Sequence, residues 1–281
     1  MRINTNVMAL SASNVLGRNQ NTVQKSINKL SSGLRINGAA DDASGLAISE
    51  KMRSQIRGLD QAESNAQDGI SLIQTAEGAL QQTTDILQRM RELVIKAENT
   101  GVLSEDDQDS IEVEIRELEI EMDRIALSTS FNGKTLLDGK FDGAGGLDTK
   151  KLKFKVGSNT LPEDTLEVTF GNMTAESLGV KGIVLTDATT TKAALVSLDA
   201  AIILVSKQRA NLGAVQNRME YAIESLSATS ENLTAAESRI RDVDMADEMV
   251  TFTKNNILQQ SAMAMLAQAN QQPNQILSLL Q

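Results

Sequence analysis

Apolar or small residues recur in steps of three and four along most of this chain. The clearest run begins near Ser44 and passes through Ile48, Met52, Ile56, Leu59, Ala62, Ala66, Ile70, Ile73, Ala76, Leu80, Thr83, Leu87, Met90, Val94 and Ala97. A helix turns once every 3.6 residues, so these steps put every member on one stripe, the pattern of a coiled-coil seam. At about 1.5 Å per residue, a helix from Ser44 to Asn99 is a rod of roughly 80 Å. Globular helices average about 11–12 residues. A rod of that length cannot wrap a compact core and has to lie along other rods.

The same periodicity predicts the remaining helices. Residues 5–34 carry a stripe through Leu16, Val23, Ile27, Leu30 and Leu34. GLRINGAADDASG follows as a connector, with Asp42 or Ser44 placed to cap the long helix. That helix stops at Asn99-Thr100-Gly101, and Ser104 with Asp107 opens a third helix through Ile111, Ile115, Leu118, Met122 and Ile125. Helix resumes near Lys192 with Leu195, Leu198, Ile202, Val205, Leu212, Val215, Met219, Leu226, Leu233 and Ile240. After RDVDMADE a final helix over 245–270 is apolar on more than one face, and Pro273 is expected to end it.

Only the middle departs from this period. FNGKTLLDGKFDGAGG is turn chemistry, and LKFKVG (152–157) and DTLEVTF (164–170) alternate as a β-hairpin. The expected fold class is mainly α: a long antiparallel helical hairpin or coiled-coil bundle with a small β-hairpin insertion. Its expected parts are a terminal helix pair of 1–40 with 243–281, a long bundle of 41–139 with 191–242, and a β-rich insertion of 140–190. Connectors around 33–45 and 240–247 would join the pair to the bundle flexibly.

Composition narrows the function. Aromatic residues are 2% of the chain, so its apolar surface is aliphatic and suits close helix packing. A net charge of −10 argues against nucleic acid and anionic membranes. No apolar run of membrane-spanning length and no cleavable signal is expected. Without Cys or His there is no disulfide, thiol nucleophile, imidazole base or Cys/His zinc site. An enzyme would need a carboxylate pair in a pocket, and no pocket-forming segment is visible, so neither catalytic residues nor cofactors are assigned.

The small motifs read as ordinary structure. GKT at 133–135 lacks the first glycine of a phosphate loop, since residue 128 is Ser128. Gly143, Gly145 and Gly146 do not complete a dinucleotide fingerprint. Asp242, Asp244, Asp247 and Glu248 resemble a calcium loop, but its obligatory glycine is Asp247. These acids fit a helix N-terminus better. The Glu-rich face at Glu112, Glu114, Glu117, Glu119 and Glu121 reads as solvated surface, and Arg89, Arg91 and Glu92 read as the outer face of the rod.

Three stretches carry a family resemblance: MRINTNVMALSASN at the start, LSSGLRINGAADDASGLAISEKMRSQIRGLDQAESNAQDGISLIQTAEGAL from Leu30, and SENLTAAESRIRDVDMADEM with ILSLL near the end. Together they resemble bacterial flagellin over roughly 1–139 and 195–281, with a short variable middle. The resemblance implies a subunit of the flagellar filament, exported unfolded with an uncleaved signal and assembled outside the cell. Leu16, Val23, Ile27, Leu30, Phe252, Ile257 and Leu266 would pack the filament core. Leu87, Gln88, Arg89, Met90, Arg91, Glu92, Leu93 and Glu114 would serve subunit packing and recognition by the Toll-like flagellin receptor. Leu277, Leu279 and Leu280 would be read by inflammasome receptors. The implied partners are further copies of the chain, an export chaperone on the C-terminal helix, filament cap and hook-junction proteins, and host receptors. The competing reading is an adaptor: a hook–filament junction protein, or a coiled-coil export partner that does not polymerise.

Isolated helices are marginal in water and draw their stability from packing an apolar face. The terminal segments are therefore expected to be disordered in a lone chain and to order in an assembly. Amide exchange on dilute monomer checks this: exchange at Leu16 and Leu266 should be fast, and protection at either would refute it.

Overall fold

The computed structural model describes residues 6–99, 104–139, 150–159, 161–185 and 188–279; side chains at 105, 150, 188 and 273–279 are not described. Five helices dominate: α1 (Val7–Ser32), α2 (Ala43–Ala97), α3 (Glu105–Ser128), α4 (Ala188–Arg241) and α5 (Met245–Leu279). Between α3 and α4 lie β1 (Ser130–Phe131), β2 (Lys134–Thr135), β3 (Lys150–Lys155) and β4 (Thr165–Phe170). The mainly helical expectation stands. The chain divides into two compact units, 1–56 with 231–281 and 57–230. The division falls inside α2 and α4, not at the two connectors.

In the 57–230 unit the predicted stripes meet. Ile73, Leu80, Leu87 and Met90 of α2, Ile115 and Met122 of α3, and Leu198, Val205 and Leu212 of α4 are all buried in one core. Helix α3 starts on a full capping box: the Ser104 side chain accepts from the Asp107 N–H, and Asp107 accepts from the Ser104 N–H. The segment ending in GKT is a two-residue hairpin. Asn132 and Gly133 both have positive φ, 49° and 73°, as an Asn-Gly turn between twisted strands requires. Strands β3 and β4 pair antiparallel with Leu152 opposite Val168 and Phe154 opposite Leu166. Leu166, Val168 and Phe170 face the core, while Glu167 faces out between Lys151 and Lys153. Residues 140–149 lie outside the described residues.

One acid departs from expectation. Glu119 is buried, not solvated, and accepts hydrogen bonds from the Gly182 and Ile183 N–H groups at 3.0 and 3.2 Å. Asp123, one turn on, accepts from the Ala175 N–H at 2.7 Å. Residues 171–185 have little regular structure, so their amides need such acceptors. Met173, Ala175, Leu178 and Val180 are thereby held in the core.

In the other unit, α1 and α5 pack against each other and run antiparallel. Asn6, before α1, donates to the Ala269 carbonyl near the far end of α5, and Lys29 lies 3.9 Å from Glu248 near its start. The terminal segments are helical here, where disorder was expected of a lone chain. Their pairing, through small residues such as Ala262 and Ala269, accounts for that. Much of their apolar surface stays exposed, however, including Val7, Met8, Leu10, Val250, Ile257 and Met265. Pro273 does not end α5, which continues to Leu279. A proline cannot donate to the carbonyl four residues back, here Ala269. The Asn6 Nδ2 supplies that missing donor at 2.7 Å.

The two connectors pair with each other. Leu34 and Asp242 form an antiparallel bridge, with Arg35 N–H donating to Arg241 O and Val243 N–H to Gly33 O. Gly33 closes α1 at φ 72°, a left-handed value that favours glycine.

Two substitutions test where stability resides. Leu80→Ala should cost about 2–5 kcal/mol by urea denaturation, as a large-to-small change in a core does. Glu119→Ala should cost about 1–3 kcal/mol by leaving two inward amides without an acceptor.

Candidate functional site: the terminal helix pair and the Arg89 segment

No group of three or more His, Cys, Asp or Glu suited to a metal ion occurs among the described residues. Asp244 accepts from the Ala246 and Asp247 N–H groups, so it caps the N-terminus of α5, where Asp247 and Glu248 lie in the first turn. What the molecule offers is surfaces.

The first surface is the α1–α5 pair. Leu16, Val23, Leu30, Phe252 and Leu266 are half-buried, and Ile27 and Ile257 are exposed. Leu280 lies outside the described residues, and Leu277 and Leu279 are placed only as backbone at the end of α5. Between the helices runs an open groove of about 620 Å³, lined by Met8, Ala12, Val15, Leu258, Ala262 and Met265. A pair of helices with this much uncovered aliphatic surface is an incomplete packing unit.

The pair is anchored by a cluster that sequence reasoning missed. Arg35 donates to the Arg239 and Ile240 carbonyls, capping the end of α4, and Arg241 donates to Glu50 at 2.7 Å. The hydrogen bond from Arg241 holds the Glu50 carboxyl below its ordinary value. Asp42 caps α2, accepting from the Ser44 and Gly45 N–H groups, and the Gly45 bond depresses its carboxyl likewise. The sequence signalled only the Asp42 cap; the arginines lie about two hundred residues from their partners.

The second surface is the Arg89 segment of α2. Leu87, Met90 and Leu93 are buried in the core, because they sit on the inward stripe. Gln88, Arg89, Arg91 and Glu92 face out. Arg89 donates twice to Glu114 on α3, at 3.1 and 2.8 Å, and approaches Glu92 at 3.5 Å. The Glu114 hydrogen bond raises the Arg89 guanidinium above its ordinary value. Arg91 donates to Asp199 on α4 at 2.8 Å. Arginines two residues apart thus strap α2 to α3 and α4.

Long helices with aliphatic faces left open mark a protein of the self-associating helical class. The N-terminal helical region of bacterial flagellin matches residues 3–142, and its C-terminal helical region matches residues 195–280. The chain belongs to the flagellin family. It is 54% identical over 305 residues to the flagellin of Bacillus subtilis (strain 168), and 51% identical over 288 residues to the flagellar filament 33 kDa core protein of Treponema phagedenis, with all of both chains covered in each case. The crystal structure of Bacillus cereus flagellin is 30% identical with a TM-score of 0.48, covering 62% of this chain and 94% of that one. A Vibrio parahaemolyticus protein, described provisionally as flagellar hook-associated, shares the fold at a TM-score of 0.60 and 15% identity, covering 72% of this chain and 100% of that one. The family is structural, and this chain is not an enzyme.

The Glu50–Arg241 contact has a defined acid sensitivity. A carboxyl with a lowered folded pKa stabilises fully above its unfolded value, here 4.5, and that contribution is lost as pH falls through the folded value. Urea denaturation of the native chain and Glu50→Gln should therefore differ at about pH 6, and the difference should shrink as the pH falls below 4.5.

Proposed function

We propose that this chain is a structural subunit of the bacterial flagellar filament. The observation that carries the reading is the exposed aliphatic surface of α1 and α5 in a chain alike over its full length to flagellins and filament core proteins. Polymerisation covers that surface. A contact between two different patches whose rotation does not close into a ring adds copies head to tail into a filament. The terminal pair, through residues such as Leu16, Ile257 and Leu266, packs the filament core, and the filament acts outside the cell as the propeller for swimming.

The finer partners follow the same surfaces. An export chaperone would cover the face of α5 on which Met245, Met249 and Met263 stand exposed. Cap and hook-junction proteins would meet the ends of the polymer. A host Toll-like receptor would read Gln88, Arg89, Arg91 and Glu92 with Glu114 on the monomer, and Leu87, Met90 and Leu93 would serve only to hold that face in place. Leu277, Leu279 and Leu280 remain the proposed inflammasome determinant.

Electron microscopy of seeded, purified protein tests the main reading: long tubes are expected, and only short oligomers would favour the junction or adaptor role. Ile257→Asp should abolish tubes while shifting monomer stability by no more than about 0.5 kcal/mol, the usual range for an exposed site. In a receptor reporter assay, Arg89→Ala should lower monomer potency at least about tenfold, a loss of about 1.4 kcal/mol in binding, and unchanged potency would remove Arg89 from the receptor contact.

A further inference from the structure

Two helices of the 57–230 unit carry a second apolar seam that faces solvent. On α3, Val113, Ile120 and Leu127 are seven residues apart and 56%, 57% and 55% exposed. They lie opposite Ile115 and Met122, which fill the core. On α4, Val196 and Ile203 are also seven apart, 70% and 66% exposed, and Ala210 and Leu204 extend the stripe. They lie opposite Leu198, Val205 and Leu212, the inward seam of that helix. Contrary to the sequence expectation, one window of α4 reaches a mean hydropathy of 1.4 over 18 residues, enough by length and composition to cross a membrane, yet 28% of it is buried. The first half of α4 therefore carries more aliphatic surface than its own core uses. A helix apolar on two opposite faces packs on both.

The two outward seams are complementary in charge. Helix α3 carries ten carboxylates against two arginines. Between Ala188 and Arg218, α4 carries four cations against one acid, Asp199, which Arg91 already engages. Asp109 and Glu117 lie one turn to either side of Val113, Lys192 one turn before Val196, and Lys207 one turn after Ile203. None of these four is in an ion pair among the described residues. The seams also match in length: fourteen residues separate Val113 from Leu127 and Val196 from Ala210, about 21 Å each.

We propose that the Val113–Ile120–Leu127 seam of α3 docks on the Val196–Ile203–Ala210 seam of α4 in a second copy of this chain. The proposal rests on the filament-subunit reading and names the faces that meet. Each copy then offers one acidic and one basic aliphatic seam. The contact joins unlike faces, so it propagates instead of closing as a dimer, and the flanking charges disfavour α3 against α3.

The absence of cysteine from the natural chain makes the test direct. Ile120 and Ile203 are central to their seams, so they oppose each other whichever way the helices run. Filaments grown from a mixture of Ile120→Cys and Ile203→Cys subunits and then oxidised should yield one-to-one cross-linked dimers on a denaturing gel. Neither variant alone should cross-link, and a chain carrying both should give a ladder. Val184→Cys, exposed but off both seams, should not react with Ile203→Cys. If either isoleucine variant fails to fold, Leu127→Cys replaces it: it should react with Val196→Cys for antiparallel helices or with Ala210→Cys for parallel ones. Filaments that form without these cross-links, or that link Ile120→Cys to itself, overturn the pairing and leave the filament reading standing. Failure of the unmodified chain to form filaments overturns both.

Discussion

An apolar stripe on a helix has to be covered along its whole length, and the rest of this structure follows from how far one chain can do that. Between 57 and 230 the chain succeeds on the inner side: stripes from α2, α3 and α4 converge, and the β3–β4 hairpin adds Val168 and Phe170. With few aromatic residues available, coverage has to come from aliphatic side chains set at close, regular spacing. In the 1–56 and 231–281 unit the chain does not succeed. Two helices can hide only the strip between them, and α1 buries fully a single residue, Ser26.

This difference separates the roles of the two units. Side chains in a filled core resist change, whereas helices with open faces make their remaining contacts through other molecules. The polar contacts follow the same division. Glu119 and Asp123 act inward, fixing backbone that has no helix or sheet to satisfy it. Arg89 and Arg91 act at the surface, where they join neighbouring helices while leaving polar edges accessible. The Arg35–Arg241–Glu50 cluster ties the end of α4 to the connector after α1 and to the first turns of α2.

Much of this was legible in the residues because the helical period is a local signal. The stripes of α2, α3 and α4, the Ser104–Asp107 box and the alternation of β3 and β4 all need only near neighbours in sequence. Contacts between distant positions were not legible. Glu119 looked like one more surface acid, although it directly follows Leu118 on the inner edge of the α3 stripe, and its amide partners lie more than sixty residues away. The bridge between Leu34 and Asp242 had no local trace. The pattern of steps likewise found the inward seam on each helix and passed over the outward one, because a single-stripe template absorbs the first match.

Pro273 was expected to be a stop, and the reason it is not reaches across the whole length of the polypeptide. The acceptor it strands on Ala269 is met by Asn6, so residues 263 positions apart complete one turn of one helix. A molecule that lost Asn6 would leave the Ala269 carbonyl without this donor, so the turn around Pro273 is held from the opposite helix.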